Sequence, residues 1–510
     1  MVHLDLVWIV VVGLFGLAVT GAATPVMRRL ALRWRVVAVP GGRRNHHAPT
    51  PLLGGLAIFL PFTIVFITFF TLFSLGEIHF SRPSGLQMLS LFLACGWITF
   101  LGALDDKLRL SWRKKLVGQL FAIGILVLGG HRIEVASIPL WTTLDFGWLG
   151  VPLFALIVLL IVNAINIIDG VDGLAAGICF FAAATCAVMC FWKGDMFGAV
   201  IAACVAGSLV AFLFFNFPPA SIYLGDGGSL FLGLLLGTLS ASSAAAYPGQ
   251  RPSTLVMLIL PFVPFTAAFL DVFLAIVRRW ASGRRIFSPD TDHVHHRLLE
   301  KFKKPQRVIA IFYGFSAVLC VITLAAFMHP ESEMAKWSWL LFGFVLVGMT
   351  TGILKMYRVG DFKKTLENRP HFQFVSSYRS FMAAKIRTIN SLDDLLGLLS
   401  TGVTDLGYDS VEVLRYGSTV CYWVNPCKRH PESPRLFQEL SFQDLGLVVR
   451  WIVPQHESKT YQKFLEIIWY QVVRDVGERA MAIEQCPCQL EIAFRSVDPS
   501  QEAMANIPKH

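Results

Sequence analysis

The chain has 510 residues, of which 55% are hydrophobic and only 15% charged, with a mean hydropathy of +0.59 and a formal net charge of +10. That balance excludes a soluble globular chain or a disordered one and marks an integral membrane protein with a smaller polar appendage. The ten cysteines form no disulfide framework, because Cys95, Cys179, Cys186, Cys190, Cys204 and Cys320 fall in or beside apolar runs, where a thiol behaves as a small apolar residue.

A helix needs about 20 apolar residues to cross roughly 30 Å of hydrocarbon. Runs of that order lie at 6–26, 54–74, 86–104, 116–130, 149–168, 174–192, 197–216, 229–247, 254–277, 308–327 and 338–357. An all-α polytopic membrane unit of about eleven transmembrane helices is therefore predicted over 1–360. The first run lacks a convincing small-residue cleavage site and reads as a retained helix.

The Lys and Arg residues are distributed unevenly between alternate loops. The loop after the first run carries Arg28, Arg29, Arg33, Arg35, Arg43 and Arg44, and that after the third carries Lys107, Arg109, Arg113, Lys114 and Lys115. Nine more follow the ninth run, from Arg278 to Arg307, whereas the other set holds only Arg82, Arg132, Lys193, Arg251 and Lys336. The split predicts an N-terminus outside and a C-terminus in the cytoplasm. Basic charge confined to such loops is a topology signal and does not predict a nucleic-acid partner.

Four polar islands interrupt the apolar chain: Leu104-Asp105-Asp106, the Asn163, Asn166, Asp169, Asp172 series, Leu224-Gly225-Asp226-Gly227-Gly228-Ser229, and Asp292-His293-Val294-His295-His296-Arg297. They follow the third, fifth, seventh and ninth runs, so the predicted topology puts all four on the cytoplasmic side. Charges kept near hydrocarbon are costly, and their placement on one side predicts one assembled site. Carboxylates with amide oxygens suit Mg²⁺, with Mn²⁺ the alternative, and Lys115 and the His-Arg cluster suit phosphate oxygens. The combination reads as phosphoryl-transfer chemistry. Three-residue spacing drifts by about 60° per step on a helix, so adjacent members of the Asn163 to Asp172 series touch but its ends do not. Gly170 and Gly173 predict a helix end near Asp169, Pro218-Pro219 another, and Ser229 a cap for the helix that follows.

These residues, with Arg43-Arg44-Asn45-His46, Pro49-Thr50-Pro51-Leu52-Leu53-Gly54-Gly55 and His296-Arg297-Leu298, carry a family pattern. The chain resembles the polyprenyl-phosphate N-acetylhexosamine-1-phosphate transferases over about its first 360 residues. The His-x-His-His-Arg-Leu form is similar to the branch that starts surface glycans more than to the muramyl-pentapeptide branch. The resemblance implies a UDP-N-acetylhexosamine donor, a polyprenyl phosphate acceptor, UMP as product, and an inner-membrane location. It implies Asp226 as the principal Mg²⁺ ligand with Asn166 assisting, and Asp105 and Asp106 as the catalytic pair beside the lipid phosphate. It further implies Asn163, Asp169, Asp172, Asn216 and Tyr223 on the nucleotide side, and Lys115, His293, His295, His296 and Arg297 on the diphosphate and sugar. The chain departs from the family pattern at one place: an acidic residue common before the first basic motif is absent around Ala38-Val39-Pro40.

Two other classes compete. A transporter would show inverted repeats and charges in mid-span, and neither is found. A catalytically silent membrane sensor of UDP-sugar or lipid phosphate would have lost an island carboxylate, and all are present. Asp271, seven residues before Arg278, reads as a neutralising charge for that loop.

Residues 361–375 read as a juxtamembrane linker, and 376–510 as a cytoplasmic α+β domain. Segments 376–407 and 457–484 are predicted amphipathic helices, with strands at Ser410 to Arg415 and Leu445 to Val453. The element order resembles GAF-like domains. No catalytic constellation occurs there, so regulation, ligand sensing and partner docking stay open, as does homo-oligomerisation. Cys421, Cys427, Cys486 and Cys488 lack zinc-ligand spacing and read as free thiols.

Overall fold

The computed structural model describes residues 2–38, 50–78, 83–133, 135–138, 142–243, 298, 302, 304–328, 337, 340–345, 347–348, 351, 369–406, 408, 410–424, 437–442, 445–452, 459–483 and 492–497. Two compact units divide the chain, one of Met1–Ala275 with Pro289–Met356, the other of Ile276–Ser288 with Tyr357–His510.

The first unit is helical: α1 Val2–Arg33, α2 Gly54–Ser74, α3 Gly85–Leu108, α4 Trp112–Leu128, α5 Gly150–Ile168, α6 Leu174–Trp192, α7 Met196–Asn216, α8 Gly225–Ser243 and α9 Pro305–Met328. Two short hairpins interrupt them, β1 Val37–Ala38 with β2 Thr50–Pro51, and β3 Val135–Ile138 with β4 Thr142–Asp145. Among the described residues, seven helices are long and apolar enough to cross a membrane, which makes the chain a polytopic membrane protein. The helices α4 and α8 fall outside that set: α4 has 17 residues, and α8 opens on Gly225, Asp226, Gly227, Gly228 and Ser229. The predicted run 254–277 lies outside the described residues, and 338–357 is described only in part.

Helix ends follow local chemistry. Ser84 and Gln87 form a reciprocal capping box at the start of α3, and the Asp195 carboxylate caps α7 through the Gly198 N–H at 2.9 Å. α5 stops at Ile168, one residue before Asp169, and Gly173 opens α6 with φ +74°. Ser229 corrects one expectation. It lies inside the first turns of α8, which begins at Gly225, four residues earlier than the apolar run suggests.

The helix α8 packs against α2, α3 and α5, and its Leu230, Phe231, Leu232, Leu234 and Leu235 are fully buried. Rings of Phe59, Phe62, Phe66, Phe92, Phe197 and Phe231 stack or meet edge to face across α2, α3, α7 and α8. At the start of α8 the packing is backbone on backbone. A Cβ on Gly102 would collide with the Asp226 carbonyl, and one on Gly55 with Gly228. The preceding loop is strapped to α2 and its hairpin by Tyr223 N–H to Pro51 O at 2.8 Å, Gly54 N–H to Tyr223 O at 3.0 Å and Gly55 N–H to Leu224 O at 2.8 Å.

The second unit contains α10 Arg369–Thr388, α11 Leu392–Leu406, β5 Ser410–Arg415, β6 Ser418–Val424, β7 Phe437–Phe442, β8 Leu447–Ile452, α12 Lys459–Ile483 and β9 Ile492–Val497. The strands form one antiparallel sheet in the order β6-β5-β8-β7-β9. Val411, Val413, Leu440, Phe442, Leu447, Val449 and Trp451 from the sheet share a core with the three helices. The stretch 376–407, read from sequence as one amphipathic segment, is two helices. Arg479 of α12 takes the Ile389 carbonyl and the Asn390 side chain at the break, and Asp393 and Asp394 then favour a new N-terminus.

Candidate active site

Four helix ends from distant parts of the sequence bring their polar residues together. The last turn of α3 supplies Asp105 and Asp106, the first turn of α4 supplies Lys115, the last turn of α5 supplies Asn166, and the first turns of α8 supply Asp226 and Ser229. Lys115 Nζ is the centre. It lies 3.0 Å from Asp105 Oδ2, 2.5 Å from Asp226 Oδ2 and 3.1 Å from Asn166 Oδ1. Asn166 is oriented by donating its Nδ2 hydrogens to Asp226 Oδ1 at 2.7 Å and Ser229 Oγ at 3.0 Å, so its oxygen faces the ammonium.

The paired carboxylates have separate surroundings. Asp105 is buried, with Oδ1 accepting the Leu110 N–H at 2.6 Å and Oδ2 at Lys115. Asp106 turns to α8 and accepts the backbone N–H groups of Asp226, at 2.9 Å, and Gly227, at 3.2 Å. A carboxylate from α3 therefore serves as the anionic cap at the positive end of α8, the office expected of Ser229. Gly225, with φ +74°, is close enough to Asp106 and Leu52 that a Cβ would collide with both.

The residues expected on the nucleotide side are spread more widely. Asn163 donates to Gln119 Oε1 at 3.1 Å and to Leu159 O at 2.8 Å, one helical turn before Asn166. Gln119 was missed in the sequence, although its spacing of four from Lys115 puts it on the same face of α4. Asp172 Oδ2 accepts the Ala220 N–H at 3.1 Å. Asn216 accepts from Gly173 N and donates to Ile222 O, both at 2.9 Å, and so ties the α5–α6 turn to the α7–α8 loop. Asp169 follows α5 immediately, and the Tyr223 side chain is buried. His293, His295, His296 and Arg297, and likewise Asp271, lie outside the described residues.

Whether these residues fit a divalent cation is tested by the ammonium itself. Two carboxylate oxygens and an amide oxygen converge on one positive centre, a hard donor set of the kind Mg²⁺ takes along with water and substrate phosphates. Among the described residues no cluster of three or more His, Cys, Asp or Glu forms an all-protein cage. By its chemistry this donor set would fit a hard divalent cation.

Comparison with known proteins bears on the same segment. The family model described as glycosyl transferase family 4 matches residues 88–244, which include all four converging helix ends. The chain is 33% identical over 308 residues to a probable undecaprenyl-phosphate N-acetylglucosaminyl 1-phosphate transferase of Bacillus subtilis, covering 59% of this chain and 80% of that protein. It is 34% identical over 363 residues to a decaprenyl-phosphate N-acetylglucosaminephosphotransferase of Mycobacterium leprae, covering 67% and 89%. A phospho-N-acetylmuramoyl-pentapeptide-transferase of Desulforudis audaxviator is 33% identical over 328 residues, covering 59% and 91%.

Proposed function

The chain belongs to glycosyl transferase family 4, and from that premise we propose that it moves N-acetylglucosamine 1-phosphate from UDP-N-acetylglucosamine to a polyprenyl phosphate such as undecaprenyl phosphate. The observation that carries this reading is the cluster of Asp105, Lys115, Asn166 and Asp226 at the ends of apolar helices, where a lipid phosphate and a soluble nucleotide can meet. Relatives named for N-acetylglucosamine transfer, together with His296-Arg297-Leu298, favour this sugar over a muramyl-pentapeptide.

In this reaction an oxygen of the lipid phosphate attacks the β-phosphorus of the UDP-sugar. The bond from that phosphorus to the bridging oxygen breaks, and UMP leaves with the electron pair. Asp226 and the Asn166 oxygen would hold Mg²⁺, with Asp105 beside them; the cation would offset charge on the diphosphate. Lys115, released from its carboxylates, draws the diphosphate into the cluster as a point charge. Asp105 is the group placed to accept a proton from the incoming phosphate, because one of its oxygens faces the cluster and both of Asp106's oxygens take backbone N–H groups. His293, His295, His296 and Arg297 complete the contacts to diphosphate and sugar, and the site faces the cytoplasm at the inner membrane.

The test incubates purified protein with polyprenyl phosphate, Mg²⁺ and a panel of UDP-sugars that includes UDP-N-acetylmuramoyl-pentapeptide, and follows UMP. Release with UDP-N-acetylglucosamine that requires the lipid is expected. UMP without lipid would make the protein a hydrolase, preference for the muramyl substrate would move it to that branch, and no UMP with any donor would make it a sensor.

A further inference from the structure

The helix α9 lies beyond residues 88–244, yet one of its side chains is fastened to the turn that follows Asn166. Tyr313 donates its hydroxyl to the Gly173 carbonyl at 2.6 Å, across 140 residues of sequence. Its ring lies along one stripe of α6, where Gly173, Gly177 and Phe181 recur every four residues. A Cβ on Gly177 would overlap the ring, and the Phe181 ring meets it near edge-on with centroids 5.8 Å apart. The seated ring aims the hydroxyl.

What the hydrogen bond fixes is a residue with little steric restraint of its own. Gly173 has φ +74°, a region that glycine leaves as readily as it enters. Its N–H donates to Asn216 Oδ1 at 2.9 Å, and its carbonyl takes the Gly177 N–H at 3.0 Å as well as Tyr313. Side chains from α7 and α9 thus hold both polar groups of the positive-φ residue at which the chain enters α6. Asp172, the residue before, takes the Ala220 N–H at 3.1 Å, and Gln306 in the first turn of α9 stands 3.5 Å from the Pro218 carbonyl. The helix α9 therefore touches both the α5–α6 turn and the α7–α8 loop.

The place of the turn says which substrate it concerns. Both α5 and α6 are long and apolar enough to span a membrane, so residues 169–173 stand past the apolar stretch, at the watery side of the cluster that holds Asn166. A lipid phosphate comes to that cluster from the bilayer, and a soluble nucleotide comes from the side of the turn. Asp169 is one helical turn beyond Asn166, so a sugar nucleotide with its diphosphate at the cluster extends over the turn.

Resting on the reading that the donor is a UDP-sugar, we propose that Tyr313 is a positioning residue for that donor. Its hydroxyl keeps the α5–α6 turn in the shape against which the UDP-sugar binds and takes no part in holding the lipid phosphate. Tyr313→Phe removes the hydroxyl and keeps the ring on Gly177 and Phe181. The full chain and this variant, each in lipid nanodiscs, are titrated with UDP-N-acetylglucosamine by calorimetry, and their steady-state UMP release is compared. Kd and KM for the UDP-sugar should rise about five-fold or more in the variant, the scale of one lost hydrogen bond. Its kcat, its KM for polyprenyl phosphate and its melting temperature should stay close to those of the natural chain. Thr323→Val, which removes a buried hydroxyl farther along the same helix, should change none of these. Equal UDP-sugar affinity in the natural chain and Tyr313→Phe overturns the proposal and leaves the functional reading intact. A fall in kcat and melting temperature with both KM values altered alike would make the hydroxyl merely structural, and overturns it too. No binding of UDP-N-acetylglucosamine by the natural chain would overturn the functional reading and the proposal together.

Discussion

Asp105 and Asp106 are neighbours in sequence with different partners in space. The first shares Lys115 with Asp226, and the second receives two N–H groups from the start of α8. Their substitutions should therefore part company. Asp105→Asn removes a negative charge from the cluster and should lower lipid-dependent UMP release on the order of 100-fold, with thermal stability in detergent nearly unchanged. Asp106→Asn leaves one oxygen for two donors and sets its amide hydrogens against an N–H. It should cost about 1 kcal/mol of stability as well as activity, because Asp226 rides on the helix that Asp106 caps. Equal stability losses for the two variants would show that the assignment of roles is wrong.

At the scale of elements, the approach of α3 to α8 depends on a missing side chain. Gly102→Ala puts a methyl against the Asp226 carbonyl and should cost about 1–3 kcal/mol, with loss of UMP release in the fraction that stays folded. Gly124→Ala, which meets nothing within 4 Å, is the control. The α6–α7 turn offers a pH test away from the site. Burial pushes the Asp195 carboxyl up to about 6, although the Gly198 N–H and Lys193 pull the other way. A carboxyl whose pKa is higher in the native state stabilises most when protonated, and that stabilisation is lost as pH rises from about 4 through 6. Asp195→Asn keeps the capping oxygen but cannot ionise. Melting temperature measured against pH should show the variant gaining on the natural chain between pH 4 and 6, with a constant difference above that.

For the whole molecule, the charge split between alternate loops predicts a site on the cytoplasmic side, as proposed above. A thiol introduced at Lys114, beside the cluster, should resist a membrane-impermeant reagent in intact cells, and one at Gly194, in the turn opposite, should react. The reverse pattern would invert the topology. Much of this arrangement was legible in the chain. Predicted helices at 54–74, 174–192 and 197–216 correspond to Gly54–Ser74, Leu174–Trp192 and Met196–Asn216, because an apolar run of that length has few other ways to satisfy its backbone. α4 and α8 were harder, since sites on helix ends shorten the apolar signal. The break between α10 and α11 was not legible, because the groups that stabilise it come from Arg479, about 90 residues away.

By itself, the sequence determined the membrane class, the family and which residue types gather at the helix ends, since these follow from hydropathy, charge and ordered motifs that need no neighbours. Only the tertiary structure decided which residues meet. It put Lys115 among Asp105, Asn166 and Asp226, brought Gln119 to Asn163, and turned Asp106 from the cluster to the cap of α8. The physical reason is that a carboxylate's role is set by the donors around it, and here those donors stand on other helices, in the case of Asp106 some 120 residues along the chain.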